Sequence, residues 1–355
     1  MQESKAALGP EALDELDLAL VHALQLSPRA TWTELGPVLG VDPVTLARRW
    51  RRLERSGAAW ITCHPGGGPG VLGGTSVALV EIRVAPGRIP EVSARLARHR
   101  HALNVEYLTG NRDLLITAAA ADADALAQYL RIRLPSVPGI TGIRVQLPLR
   151  LYKDSGAWRL RALDREQRDL LSGPPRMSSR PTRALDDADR ALLLELGPDG
   201  RLGTAELARR LGTSGVTVAR RLARLTAGGQ AGFRGEVARS LTGWPVCATW
   251  WLRVPAAELD ETAARLTASA DVRMCAVVTG TANLVVVVWL RRAADVPTLE
   301  AEWSGRFPRV EVVDSAVTIQ VIKQMGRVVG PNGHATGFVP LDIWSDPLAD
   351  TEVRP

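Results

Sequence analysis

Apolar residues recur three and four positions apart at Leu13, Leu16, Leu20, Val21 and Leu24, which is one face of a helix. A second short helix is predicted from about Thr33 to Leu39. Gly40 ends it, because glycine takes the left-handed conformation that a helix C-terminus favours. A third helix opens at Asp42–Pro43, a preferred N-cap followed by proline at the first helical position. Its apolar stripe is Leu46, Trp50 and Leu53, which leaves Thr45, Arg48, Arg49 and Arg52 on the outward arc. After the glycine-rich loop PGGGPGVLGG the helical period gives way to alternation. Val77 to Val84 reads as a strand and residues 90–100 as a helix. Leu103 to Leu108 and Leu114 to Ala118 read as strands around a TGNRD turn, 122–133 as a helix and 141–151 as a last strand. That order, βαββαβ, is the split βαβ or ferredoxin-like pattern.

The same pattern then returns. Residues 13–57 align with 185–229 without a gap, and nineteen of the 45 positions are identical. A biased composition would not place its matches on one offset, so the chain carries two copies of a domain pair. In the second copy Ser214 is the expected cap of the third helix. Val218, Leu222 and Leu225 point inward, with Thr217, Arg220, Arg221 and Arg224 outward. The strand-rich unit recurs as 246–254, 258–268, 272–279, 284–290, 296–304 and 310–322. The expected fold class is α+β: two helix-turn-helix units of winged-helix-like type, each followed by a ferredoxin-like domain. The boundaries are 1–60, 76–153, a linker at 154–184, 185–232, 244–325 and a tail at 326–355. One face of each small sheet is left open, and the other copy's sheet is the natural cover. The linker holds an Arg-rich helical stretch, Trp158 to Leu171, and then SGPPRMSSRPTR. The Gly/Pro-rich tail is expected to be mobile, with Phe338, Leu341, Ile343 and Trp344 as local docking residues.

Two helices joined by a short glycine-containing turn, the second presenting arginine near its start, is the arrangement that enters a DNA major groove. Arginine suits that role because its planar fork binds guanine edges or phosphate bidentately. The formal net charge of +6 and the pI of about 9.8 fit a polyanionic partner. The alternative for any single arginine is a solvated helix face. Repetition favours the DNA reading: inward positions drift between copies, whereas the three outward arginines persist. Cys63, Cys247 and Cys275 have no pairing or metal spacing, which suggests a reducing, cytoplasmic setting. No signal-peptide core precedes the first helix, and no apolar run is long enough to span a membrane.

A helix-turn-helix followed by a βαββαβ domain resembles the Lrp/AsnC, or feast/famine, family of transcription regulators. LDELDLALVHAL and LDDADRALLLEL resemble its opening helix. VDPVTLARRWRRLERSG and TSGVTVARRLARLTAGG resemble its recognition helix, and TGNRDLL its turn between strands two and three. The resemblance implies a DNA-binding regulator whose ferredoxin-like (RAM-type) domain binds a small effector, often an amino acid, and drives assembly. It places Gly110 and Asp113, with Gly280 and Asn283 in the second copy, at the family's Gly-x-x-Asp motif near the effector pocket. The change from Asp to Asn implies two pockets of unequal preference. The bland alternative is that all four are ordinary turn residues.

The expected mechanism is an intramolecular pseudo-dimer with two unlike DNA-reading heads and further association of chains. Trp50 against Leu222 and Arg51 against Ala223 make the half-sites unequal, and Gly215, Gly228 and Gly229 suggest a looser second unit. Sirohaem decarboxylases also look similar, which supplies an enzyme alternative. None of His22, His64, His99, His101 and His334 recurs in the other copy, and His99 and His101 flank a helix end where they suit the dipole. No catalytic set, metal site or cofactor is therefore expected. A third alternative is an assembly protein that has lost DNA binding, but both sets of arginines are intact.

Overall fold

A computed structural model describes residues 13–66, 75–171 and 183–349. Most of the glycine-rich loop and of the Pro/Ser linker, the first twelve residues and the last six lie outside the described residues. The first head is α1 (Glu15–Leu26), α2 (Trp32–Leu39) and α3 (Pro43–Arg55), followed by a strand, β1 (Ala59–Pro65). Both α1 and α2 start with reciprocal capping boxes, Asp14 with Asp17 and Thr31 with Glu34. Asp42 caps α3 by accepting from the Val44 and Thr45 amides. Leu20, Leu24, Leu35, Leu46, Trp50 and Leu53 close the head's core.

The first ferredoxin-like unit is β2 (Ser76–Val84), α4 (Ile89–Arg98), β3 (Ala102–Leu108), β4 (Leu114–Ala120), α5 (Ala123–Gln128), β5 (Ile140–Gln146) and β6 (Pro148–Lys153). The linker contributes α6 (Arg165–Leu171). The second head is α7 (Asp187–Leu196), α8 (Thr204–Arg210), α9 (Gly215–Ala227) and the strand β7 (Ala231–Val237). Its ferredoxin-like unit is β8 (Val246–Arg253), α10 (Leu259–Thr267), β9 (Val272–Val278), β10 (Leu284–Leu290), α11 (Asp295–Arg306) and β11 (Glu311–Gln324). Two short strands follow, β12 (Arg327–Val329) and β13 (Ala335–Phe338).

The two copies are joined by exchange of strands. The 141–151 segment is not one strand of one sheet: β5 pairs with β2 of its own copy, and β6 crosses to pair with β9 of the other. The long β11 does the reverse, pairing with β8 through Val317 and with β3 of the first copy from Thr318 onward. The strand order β5-β2-β4-β3-β11-β8-β10-β9-β6 is therefore linked back to its start through Leu147. The two sheets enclose a shared interior whose apolar part is Leu79, Leu108, Leu115, Trp251, Val278 and Val285. Each open sheet face is thus covered by the other copy.

The two crossing points are pinned in the same way. The Thr109 amide donates to the Val317 carbonyl (3.0 Å), and the Val317 amide donates to the Thr109 hydroxyl (2.9 Å). Thr279 makes the matching pair with Leu147, at 3.1 and 2.9 Å.

Two expectations are corrected, and one pairing was not foreseen. The tail is built into the fold from 326 to 349: β12 pairs with β11 and β13, and Val339, Leu341 and Ile343 are buried. Its composition misled because Gly326 and Gly333 serve turns at positive φ. Trp158 to Leu171 is helical only from Arg165, and Trp158, Leu160, Leu163 and Leu171 pack into the first head's core. The segment after each third helix is a wing strand, and β1 pairs antiparallel with β7 of the other copy from Ala59↔Val237 to Pro65↔Ala231.

Candidate nucleic-acid interface and effector cavity

At the start of each third helix, the N-cap fixes the first turn and the buried stripe fixes which side faces out. Arg48 and Arg220 are exposed, and among the described residues no side-chain hydrogen bond or ion pair holds either. Thr45 and Thr217 are half-buried beside them. Val44 and Val216, 75% and 81% exposed, stand on the same turn. These valines were not among the expected reading residues, although their identity in both copies was the available signal. Exposed apolar side chains there are suited to thymine methyl groups.

The other arginines of the expected set do not simply point outward. Arg49 reaches back to Asp14 (2.5 Å) and Asp17 (2.9 Å), and Arg52 also binds Asp17, which is 1% exposed. Arg221 holds Asp186 (2.9 Å) and Asp189 (2.7 Å), and Arg224 holds the fully buried Asp189 (2.5 Å). The Arg221 hydrogen bond pulls the Asp186 carboxyl down to about 2, and Arg49 lowers Asp14. These pairs tie each third helix to the capping box of the first, because a buried carboxylate must be partnered. Arg49, Arg52, Arg221 and Arg224 therefore have a structural task inside the head.

Two further arginines conserved between the copies lock the heads together. Arg29 donates to the carbonyls of Gly200 and Leu202, and Arg201 donates to those of Pro28 and Ala30 (both 2.7 Å). Arg201 also lies 4.1 Å over the Trp32 ring. With the β1–β7 ladder, this reciprocal clamp holds the two heads in one relative position.

The turn motifs behave differently from expectation. Gly110 (φ 94°) and Gly280 (φ 121°) are turn glycines. Asp113 accepts from the Val84 amide (2.7 Å). Asn283 accepts from the Val254 amide (2.9 Å) and donates to the Val254 carbonyl (2.8 Å). Both side chains fasten the end of a neighbouring strand. Neither lines the adjoining cavity.

That cavity, about 270 Å³, takes residues from both turns: Asn111 and Arg112 from the first, Gly280, Thr281 and Ala282 from the second. A neighbouring space of about 470 Å³ shares Glu81, Asn111, Arg112, Arg144 and Asp314 with it. The copies thus contribute to one joint site here. Arg112 is its centre. Its side chain is 3% exposed, 3.2 Å from Glu81, 2.5 Å from Asp314 and 3.7 Å above the Trp251 ring. Its Nη1 has no hydrogen-bond partner. On the offset of 170, Arg112 corresponds to Ala282, so internal repetition gave no signal for it.

His22 and His99 have structural partners. His22 accepts from the amides of Ala162 and Leu163, and burial drives its pKa down to about 4. His99 bonds the Tyr129 hydroxyl at 3.0 Å, and burial drives it to about 3. Neither is the helix-end cation expected of His99. Among the described residues there is no cluster able to hold a metal ion and no helix long and apolar enough to cross a membrane.

A pair of helix-turn-helix heads clamped above two strand-exchanged ferredoxin-like units defines the class of this protein. Residues 13–54 and 185–226 match the AsnC-type helix-turn-helix domain, and residues 77–158 match the Lrp/AsnC ligand binding domain. The chain thus carries the AsnC-type helix-turn-helix domain twice, in tandem, together with the Lrp/AsnC ligand binding domain. It is 26% identical over 148 residues to the HTH-type transcriptional regulator FL11 of Pyrococcus horikoshii, covering 40% of this chain and 93% of that protein. It is 27% identical over 163 residues to the leucine-responsive regulatory protein of Salmonella typhimurium, covering 44% and 95%. The crystal structure of the siroheme decarboxylase NirDL superposes with a TM-score of 0.57 at 14% identity, covering 88% of this chain and 93% of that one. That likeness is one of fold.

Proposed function

We propose that this chain is a sequence-specific DNA-binding transcription regulator that responds to a small-molecule effector. The observation that carries it is the repeated face Val44–Thr45–Arg48 and Val216–Thr217–Arg220. Two arginines stand free at equivalent places on two recognition helices whose mutual position is fixed. Arg49, Arg52, Arg221 and Arg224 act in this reading chiefly by holding the helices, and their exposed edges remain within reach of phosphate. One chain supplies both heads, so the operator is an imperfect palindrome read by an internal pseudo-dimer.

The effector reading rests on the Arg112 cavity. A buried guanidinium with one nitrogen unpaired, flanked by an aromatic ring and by Gly280, suits a small carboxylate such as that of an amino acid. Glu81 and Asp314 suit its ammonium group. Gly110, Asp113, Gly280 and Asn283 support this site by fixing the turns that border it. Association of chains beyond the internal pair is part of the same proposal, and sedimentation measures it directly.

Fluorescence-anisotropy titration with the DNA upstream of the gene, against random competitor at two salt concentrations, tests the regulator reading. Binding that survives competitor and weakens steeply with salt supports it. Binding no better than to random duplex, or none, contradicts it and favours the enzyme or assembly alternatives. Loss of an amino-acid-dependent change in DNA affinity in Arg112→Gln supports the effector site; an unchanged response removes it.

A further inference from the structure

The interior between the two sheets contains a second chamber, separate from the Arg112 cavity and bordered by the wing strands through His64, Pro65 and Arg234. It has two lobes, of about 230 and 90 Å³, which share Leu79, Asn104, Thr117, Ser155, Arg234 and Met274. Together they reach the lower end of small-molecule sites, roughly 300 Å³. The larger lobe is walled by apolar side chains, among them Leu103, Leu151, Leu341 and Ile343. The last two come from the ordered tail, so the tail helps complete the chamber. The smaller lobe is cationic: Arg234, Arg239, Arg273 and Lys323 line it, against the single carboxylate of Glu106.

The partners of these cations differ. Arg273 is paired with Glu236 (2.9 Å to both oxygens) and stacks 3.9 Å from Trp289. Arg234 is paired with Asp154 (2.6 Å), and the Lys323 ammonium donates to the His99 carbonyl (2.8 Å). Arg239 has no side-chain hydrogen bond or ion pair among the described residues. Burial lifts the Glu106 carboxyl above its ordinary range and brings Lys323 down to about 7. A space with an apolar body and an end where four cations face one lining carboxylate has a complementary ligand class.

We propose that this chamber binds an amphipathic carboxylic acid, its hydrocarbon in the apolar lobe and its carboxylate on Arg239. The inference does not depend on DNA binding or on the Arg112 site, because the chamber is lined by other residues. Leu79 and Ser155 are among the residues that line both lobes. Ser155 is the safer of the two to change, since it is partly exposed and its hydroxyl makes no hydrogen bond among the described residues.

Calorimetric titration of the full chain with octanoate, and with octanol as the neutral control, tests the proposal. Saturable octanoate binding at least about tenfold tighter than octanol binding is expected from the charge contribution. Arg239→Gln should remove most of that preference while leaving octanol binding unchanged. Ser155→Phe, which fills the junction of the lobes, should abolish both while the melting temperature stays near that of the parent. Equal affinity for octanoate and octanol, an unaltered preference in Arg239→Gln, or no saturable binding up to about 5 mM overturns the proposal.

Discussion

At the residue scale, arginines of the same helix divide into those proposed to read DNA and those that fasten the helix. Arg48 and Arg220 are exposed and have no partner among the described residues, whereas Arg49 and Arg221 are committed to carboxylates of the first helix. Arg48→Ala and Arg220→Ala should each weaken operator binding by about 1–3 kcal/mol with no change in melting temperature. Anisotropy and thermal denaturation on the same samples check both halves of that statement. Arg49→Ala should instead lower stability by about 1–3 kcal/mol, because it strips a hydrogen bond from the buried Asp17 while Arg52 still neutralises it. Urea unfolding that shows Arg49→Ala to be as stable as the parent would sink this division. The sequence shows which side of the helix is polar. It does not show which polar side chains bend back to another helix, since that depends on a carboxylate brought near by the tertiary fold.

At the element scale, helices and strands were legible because caps and periodicity are local. Gly40, Asp42 and Ser214 mark ends that the structure keeps. The wing strands were not legible, since β1 becomes a strand by pairing with residues some 170 positions away. The exchange at β5–β6 was equally hidden, because alternation is the same whichever sheet accepts the strand. The tail was misread for a related reason, as its order comes from docking. Gly57 (φ 68°) allows that docking, for a Cβ there would lie 2.1 Å from the Ala335 carbonyl oxygen. Gly57→Ala should therefore detach β13, seen as faster proteolysis near residue 335; an unchanged cleavage rate would refute the role given to this contact. The linker makes a pH prediction. His22 accepts two linker amides and is held neutral, with a pKa of about 4 against 6.5. A depressed histidine pKa leaves the unfolded chain binding more protons, so stability is intact above pH 6.5 and is lost as pH falls towards 4. His22→Gln keeps an acceptor and should recover up to about 2 kcal/mol of the loss between pH 7 and 5. Identical urea midpoints for variant and parent across that range would show that His22 does not govern the slope.

At the scale of the whole molecule, duplication within one chain turns a dimer into a fixed and unequal pair. Strand exchange makes the two ferredoxin-like units one body, and the Arg29–Arg201 clamp with the β1–β7 ladder joins the heads. The halves can then diverge, as Arg112 against Ala282 and Trp50 against Leu222 show. Repetition in the sequence foretold the pair and its shared fold. It could not reveal the joint cavity around Arg112 or the interior chamber, because both depend on residues present in only one copy. The central claim is that one chain places two reading helices on two half-sites. Hydroxyl-radical footprinting of the upstream DNA at equimolar protein tests it most directly. The account predicts two protected segments on one face of the duplex, about one helical turn or a whole multiple apart, both weakened when either Arg48 or Arg220 is removed. A single protected segment that persists unchanged in Arg220→Ala, or uniform protection along the duplex, would contradict it.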